Sequence, residues 1–239
     1  MNDELAALYD DLGDWHFWLR SRYELLRDLL SRLETTDRPR TLEVGCGSGH
    51  LLRRIADQVR PWGVDTHLPS LKRCRVRTQG AIMAASSAEA LPFESATFEV
   101  ILLVDVLEHV PDDARALCEV SRLLAPGGYA VFSVPAYQFL FGQHDRSFGH
   151  LRRYTRPRLV ELLSNAGLRV QRATYIQPLF LLPLWVKRKL TKGNHDFGQI
   201  PGWLNTVLYK LLSMERMVLR YLNFPFGPTL IAIARKPNG

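Results

Sequence analysis

The sequence predicts a doubly wound α/β protein: a mostly parallel, seven-stranded sheet with helices on both faces, an N-terminal helix and a helical insertion before the last strand. Three observations predict it. Strand-length apolar runs alternate with segments of helical periodicity from Thr41 onward. The run Phe98 to Val104 is apolar at every position but Glu99, as a strand covered on both faces requires. A glycine loop, Gly45-Cys46-Gly47-Ser48-Gly49, follows the first strand and opens the next helix.

Taken in order, Trp15, Trp18, Leu19, Tyr23, Leu26, Leu30 and Leu33 share one stripe, which predicts an amphipathic helix ending before Thr36. Thr41 to Val44 reads as a short buried strand. The helix after the glycine loop carries Leu51, Leu52, Ile55 and Val59 on one face, and Trp62-Gly63-Val64 is a second strand ending at Asp65. A basic helix from Leu71 to Arg77, a weak strand from Ile82 to Ala84 and the central strand Phe98 to Val104 follow. Pro111 to Leu124 is helical, and Pro126-Gly127-Gly128 turns the chain into the strand Tyr129 to Val134. Thr155 is placed to cap a helix running to Asn165, with Gly167 just past its end. Leu168 to Tyr175 and Thr229 to Ala234 are the last strands, separated by about fifty residues, far more than a hairpin loop needs. That insertion must have its own structure. Leu204, Val207, Leu208, Leu211, Leu212, Val218, Leu219 and Leu222 recur there at helical spacing, after an apolar stretch, Pro178 to Val186, that runs into Lys187-Arg188-Lys189. The expected organisation is a helical cap over 1–36, a cofactor-binding α/β domain over 37–175, an insertion over 176–228, and a final strand and tail over 229–239 that complete the sheet.

The chain has 239 residues, 46% hydrophobic and 23% charged, enough to bury a sizeable core. Met1-Asn2-Asp3-Glu4 is acidic where a secretory signal is basic, and no apolar run reaches the roughly 20 residues of a membrane span. A cytoplasmic protein is expected, with peripheral membrane contact open. Cys46, Cys74 and Cys118 form no CxxC pair, so neither a disulfide framework nor a metal is expected. The net charge of +7 suits a phosphate-bearing substrate, a nucleic acid or a membrane surface, and equally a solvated basic face.

In a doubly wound sheet, ligands bind at the carboxyl ends of the strands. Glycines at alternate loop positions let the backbone approach a ligand and aim helix N-terminal amides at it, although a tight turn without a ligand uses the same glycines. Asp65, about 20 residues further on, is placed to accept hydrogen bonds from both hydroxyls of a ribose. Its alternative is a helix cap. The dinucleotide fingerprint GxGxxG fails at His50, which stands at the third glycine position.

Leu42-Glu43-Val44-Gly45-Cys46-Gly47-Ser48-Gly49 resembles the acidic-x-GxGxG motif of class I S-adenosylmethionine-dependent methyltransferases. Ala88-Glu89-Ala90-Leu91-Pro92-Phe93, Phe98-Glu99-Val100, Val106-Leu107-Glu108-His109-Val110 and Leu124-Ala125-Pro126-Gly127-Gly128 are similar to the branch that includes the ubiquinone and menaquinone methylases. The resemblance covers roughly residues 40 to 135. It implies a Rossmann-like methyltransferase fold and S-adenosylmethionine as cofactor. Glu43 would orient the loop and the methionine amine, with Gly45, Cys46, Gly47 and Gly49 shaping the methionine site through their backbone. Asp65 would hold the ribose, Ala88 and residue 87 the adenine, and Val104 and Asp105 would lie beside the amine and the transferring methyl. Ser87 stands where the family usually has aspartate, which makes that contact shorter and uncharged.

A hydroxyl acceptor would need a general base, for which His109, His144 and His150 are candidates, with Asp145 placed to orient His144. Gly149-His150-Leu151-Arg152-Arg153-Tyr154 is also similar to a His-x-Arg-Arg-Tyr pattern in a bacterial subset of these enzymes, alongside an aromatic segment like Trp15-His16-Phe17-Trp18. The alternative for this segment is a packed loop whose arginines pair with carboxylates. The expected partner is a small-molecule acceptor, lipophilic or phosphate-bearing, with oxygen, nitrogen and carbon all open as the methylated atom. An RNA substrate is a rival, weakened because Val104-Asp105-Val106-Leu107 lacks the Asn/Asp-Pro-Pro-aromatic signature of base methylation. A nicotinamide oxidoreductase is disfavoured by His50 and Glu43, and an inactive binding protein has only Ser87 to suggest it. Residues 178–192 are a candidate membrane contact, a lid over the acceptor pocket, a homodimer contact, or a helix packed on the core.

Overall fold

The computed structural model describes residues 7, 10–190 and 200–238. The acidic stretch Met1 to Glu4 and the end of the 178–192 segment lie outside them. Helix α1 (Phe17–Leu30) buries Leu19, Leu25, Leu26, Leu29 and Leu30 along one face. It is shorter than its apolar stripe: Trp15 precedes it and is exposed, because His16 occupies the N-cap and accepts a hydrogen bond from the Trp18 N–H.

The seven strands are β1 (Arg40–Val44), β2 (Arg60–Asp65), β3 (Ile82–Ala85), β4 (Phe98–Val104), β5 (Leu124–Pro135), β6 (Arg169–Ile176) and β7 (Thr229–Arg235). They form one sheet in the order β3-β2-β1-β4-β5-β7-β6. The pairs from β3 through β5 are parallel, and β7 inserts antiparallel between β5 and β6. The expected mostly parallel, doubly wound sheet is the one observed. Strand β4 lies at its centre, and the two faces of that strand feed two different cores. Phe98, Ile101 and Leu103 pack with Leu42 and Phe132, while Val100 and Leu102 pack with Leu26, Leu52 and Val131. Both faces being covered is why the strand alternates so little in sequence.

Helices α2 (His50–Ile55), α3 (Leu68–Thr78), α4 (Asp113–Leu123), α5 (Gln143–Ser147) and α6 (Arg156–Asn165) connect these strands. Between β6 and β7 stand a 3-10 turn at Pro178–Phe180, α7 (Leu181–Leu190) and α8 (Gly202–Val218). Helix α8 packs on α1: the Phe17 N–H donates to Asn205 Oδ1 (2.8 Å), Arg220 pairs with Asp28 (2.8 Å), and the Arg20 guanidinium sits 4.1 Å over the Tyr209 ring.

Three local expectations are corrected. Helix α2 stops at Ile55, so Val59 is buried beyond its end rather than on its face. Pro126-Gly127-Gly128 does not precede β5 but bulges within it: Phe98 pairs with Leu124 and Val100 already with Tyr129, and Gly127 takes a φ of +75°. Thr155 holds the N-cap position of α6 without a side-chain capping bond.

Candidate active site

At the carboxyl ends of β1 and β4, where the winding of the sheet reverses, lies a cavity of about 680 Å³. It is in the range of small-molecule sites. Of the residues singled out from sequence, Glu43, Gly45, Cys46, Gly47, Asp65, Ser87, Ala88, Val104, Asp105, His109, His144 and His150 all line it. Gly49 and Asp145 stand behind its wall. Gly49 caps α2 at a φ of +82°, where a Cβ would lie 2.5 Å from Cys74 Sγ. It is a packing glycine.

The loop is built for close approach. The Gly45 and Cys46 N–H groups both donate to Val64 O (2.8 and 3.0 Å), which ties the loop to the end of β2. Gly45 has a φ of +73° and would drive a Cβ into Val106, whereas a Cβ on Gly47 meets nothing within 4 Å. Asp65 accepts from the Gly47 N–H and the His67 N–H, each at 2.8 Å. Thus the carboxylate braces the loop and the residue that precedes α3 together; the N-cap of α3 is His67, so Asp65 is not the cap of that helix.

Glu43 is buried near the end of β1, and its Oε2 has no hydrogen-bond partner. Burial first, and then Cys74 and Asp65 nearby, push its carboxyl well above the usual range. An orphaned acid of this kind costs free energy unless a ligand completes it, and an ammonium donor fits. Ser87 Oγ donates to Glu89 Oε2 and accepts from the Glu89 N–H, both at 3.3 Å. Asp105 takes a φ of +54°, held by its N–H to Ser133 O (2.8 Å), by the Ser133 hydroxyl (3.3 Å) and by an ion pair with buried Arg22.

The other end of the cavity gathers the histidines. Leu151 N–H donates to Glu108 O (2.7 Å) and Tyr154 OH to Leu107 O (3.0 Å), hooking the segment after α5 onto the turn Leu107–His109. His150 thereby meets His109 with ring centroids 4.7 Å apart. Asp145 was expected to orient His144. Instead its Oδ1 lies 2.9 Å from His150 Nδ1, because α5 ends at Ser147 and the chain doubles back over the carboxylate, with the His150 N–H on Asp145 O (2.8 Å). His144 packs on Phe148, 4.4 Å between ring centroids.

Asp145 is fully buried, and Arg153 (2.7 Å) and Arg188 (3.2 Å) pair with it. Its own burial opposes ionisation, but the His150 hydrogen bond and the two guanidinium groups outweigh it and hold its pKa well below the usual range. The expectation that arginines of this loop pair with a carboxylate is met at this residue. Burial, and then His150, lower His109 to about 4, so its imidazole is neutral at ordinary pH.

Glu108 stands in the Leu-Glu-His turn, whose pattern assigns it no role. It is fully buried, both carboxylate oxygens lack partners, and burial followed by Asp105 raises it well above the usual range. Glu108, His109 and His150 present ligand atoms within 4.8 Å of one another, a spacing that would admit a cation. Arg22, Arg153 and Arg188 were also missed as site residues. Their long side chains arrive from elements distant in sequence, and no motif spacing signals that.

A family model for a methyltransferase domain matches residues 18–173. A Mycolicibacterium smegmatis protein named as a probable S-adenosylmethionine-dependent methyltransferase is 29% identical over 163 residues, covering 67% of this chain and 62% of that protein. The ubiquinone biosynthesis O-methyltransferase of Paracidovorax citrulli is 37% identical over 101 residues, 39% of this chain and 42% of the other. The chain therefore spans less than two thirds of the length of either relative. Among solved structures, the N-methyltransferase NodS of Bradyrhizobium japonicum, in complex with S-adenosyl-L-homocysteine, superposes with a TM-score of 0.60 at 20% identity, over 95% of this chain and 91% of that one. The match over residues 18–173 takes in the glycine loop, the central strand and the Glu-His turn that build the cavity, and on this ground the chain belongs to the methyltransferase-domain family.

Proposed function

We propose that this chain transfers a methyl group from S-adenosylmethionine to a small acceptor that is lipophilic and bears an anionic group. The observation that carries the proposal is one cavity running from the Glu43 carboxyl, whose Oε2 lacks a hydrogen-bond partner, beside a glycine that leaves open space, to the histidines and Arg188 at its other end. Glu43 would accept the amine of the cofactor, and Asp65 would use its remaining lone pairs on the ribose. Ser87 Oγ accepts only once within the chain and keeps one lone pair for the adenine amine, beside the Ala88 N–H. The cofactor supplies an electrophilic methyl on a sulfonium centre, and the protein supplies alignment and exclusion of water.

His150 is the favoured general base. Its Nδ1 is engaged by Asp145, which leaves Nε2 to take a proton from the acceptor. Arg153 and Arg188 keep Asp145 ionised and so fix the imidazole. Neutral His109 and the Glu108 carboxyl line the cavity beside His150, facing the acceptor atom, and His144 completes the same wall. Phe180, Pro183 and Leu184 offer an apolar side to the acceptor, while Lys187 and Arg188 offer a charged one.

Calorimetric titration with S-adenosylhomocysteine and with NAD tests the cofactor half: binding of NAD alone would overturn it. Labelled-methyl transfer to a panel of lipophilic acids and phosphates tests the acceptor half. His150→Ala is expected to lower kcat by roughly 10²-fold or more and His144→Ala by much less; the reverse order would make His144 the base.

A further inference from the structure

Helix α8 is apolar on two opposite sides. One side holds Leu212 and packs on α1. The other carries Trp203, Val207, Leu211, Met214 and Val218, all exposed, at the three- and four-residue steps of a single helical stripe. Trp203 is 70% exposed, and Tyr221, just beyond the helix, is 87% exposed. A helix with this pattern is expected to be covered on both sides. Helix α7 repeats the arrangement: Pro183, Leu184, Lys187 and Arg188 face the cavity, while Leu182, Trp185, Val186 and Leu190 on the other side are exposed. Exposed apolar stripes of this size on two successive helices mark an interaction site.

The charge around this surface selects its occupant. Within α7 and α8 the acidic residue is Glu215 alone, which is turned inward to accept the Gln177 N–H and is raised by burial to about 7. Lys189 and Lys210 are exposed beside the apolar stripes. A surface of tryptophan, tyrosine, aliphatic side chains and lysines is the composition that lies in the headgroup region of a bilayer. A second copy of the same face would set lysine against lysine.

We propose that the outer sides of α7 and α8 dock on an anionic lipid bilayer, so that the cavity these helices help to wall opens toward the lipid from which a lipophilic acceptor is drawn. The source of the acceptor rests on the transfer reading above, whereas the docking does not.

The test is co-sedimentation of the full chain with vesicles of phosphatidylcholine alone and of equimolar phosphatidylcholine and phosphatidylglycerol. The anionic vesicles are expected to retain the protein, with a blue shift of tryptophan emission and release as salt rises. Trp203→Glu combined with Met214→Glu is expected to abolish retention, and Lys189→Glu and Lys210→Glu to weaken it by about fivefold or more each. None of these residues lines the cavity, so S-adenosylhomocysteine binding and the thermal midpoint are expected to stay unchanged and to report that the variants fold. Absence of retention by anionic vesicles overturns the proposal, as does retention undiminished in the Trp203→Glu/Met214→Glu variant. A dimer in light scattering that this variant converts to monomer, without vesicle binding, assigns the face to a second copy instead. Failure to bind S-adenosylhomocysteine would sink the transfer reading and leave the vesicle result standing.

Discussion

Glu108→Gln is the substitution in which the electrostatics of the cavity can be measured most directly. The Glu108 carboxyl is fully buried, has no hydrogen-bond partner at either oxygen, and lies near the Asp105 carboxylate. All of this raises its pKa in the folded chain well above the ordinary 4.5. From about pH 4.5 upward the unfolded chain loses this proton while the folded chain keeps it. Folding stability contributed by the group is therefore fully present below the ordinary pKa and falls as pH rises toward the raised one, by about 1.4 kcal/mol per pH unit. Glutamine matches the protonated acid in shape and carries no such proton. Urea unfolding of the wild type and Glu108→Gln at about pH 5 and about pH 6 is expected to show the variant gaining about 1 kcal/mol relative to wild type between the two conditions. A difference that is independent of pH, or a variant that loses ground as pH rises, would refute the upward shift of the Glu108 carboxyl.

Asp145→Asn leaves two buried guanidinium groups facing an uncharged amide, and a loss of roughly 3–5 kcal/mol is expected by chemical denaturation. The same variant is expected to lose turnover with cofactor affinity intact, since Asp145 stands behind the wall of the cavity. Gly45→Ala sets a Cβ against Val106 at a left-handed φ, so a lower melting temperature is expected, equivalent to roughly 1–3 kcal/mol. Gly47→Ala, at a φ of +50° but with open space beside it, is expected to cost only the backbone strain of about 1 kcal/mol and to weaken S-adenosylhomocysteine binding in calorimetry; unchanged binding would mean that the loop does not approach the ligand. Asp65→Ala removes two bonds to backbone N–H groups; a loss of about 2 kcal/mol in stability is expected, together with at least a tenfold fall in cofactor affinity.

How far the site was legible follows from where each residue sits along the chain. Asp65 ends a strand and Glu43 stands one residue before the end of another, with the glycines that need positive φ between them, so their positions were legible from pattern, and the part of Glu43 from the resemblance of its motif. The segment from His144 to His150 was recognised as a unit, but its internal wiring was not. Whether Asp145 reaches His144 or His150 depends on where α5 ends and the chain turns back, and local pattern is silent on that. Glu108 stands in a turn motif that assigns it no role, because its significance is burial without a partner. Val207, Leu211 and Val218 share one periodic apolar pattern with Leu208 and Leu212, yet the side they occupy is exposed.

The sequence by itself determined the order of strands and helices and the place of the glycine loop, since these depend on periodicity and on backbone freedom within a few residues, while the class of ligand was implied by the resemblance of its motifs to the methyltransferases. Tertiary structure decided the rest. It brought Arg22 onto the partly exposed Asp105 carboxylate and Arg153 and Arg188 onto the buried one of Asp145, and it assigned Asp145 to His150. It also left one side of α8 covered and the opposite side bare. Burial and charge pairing are sums over neighbours distant in the chain, so the ionisation states on which this chemistry depends exist only once the fold has brought those neighbours together.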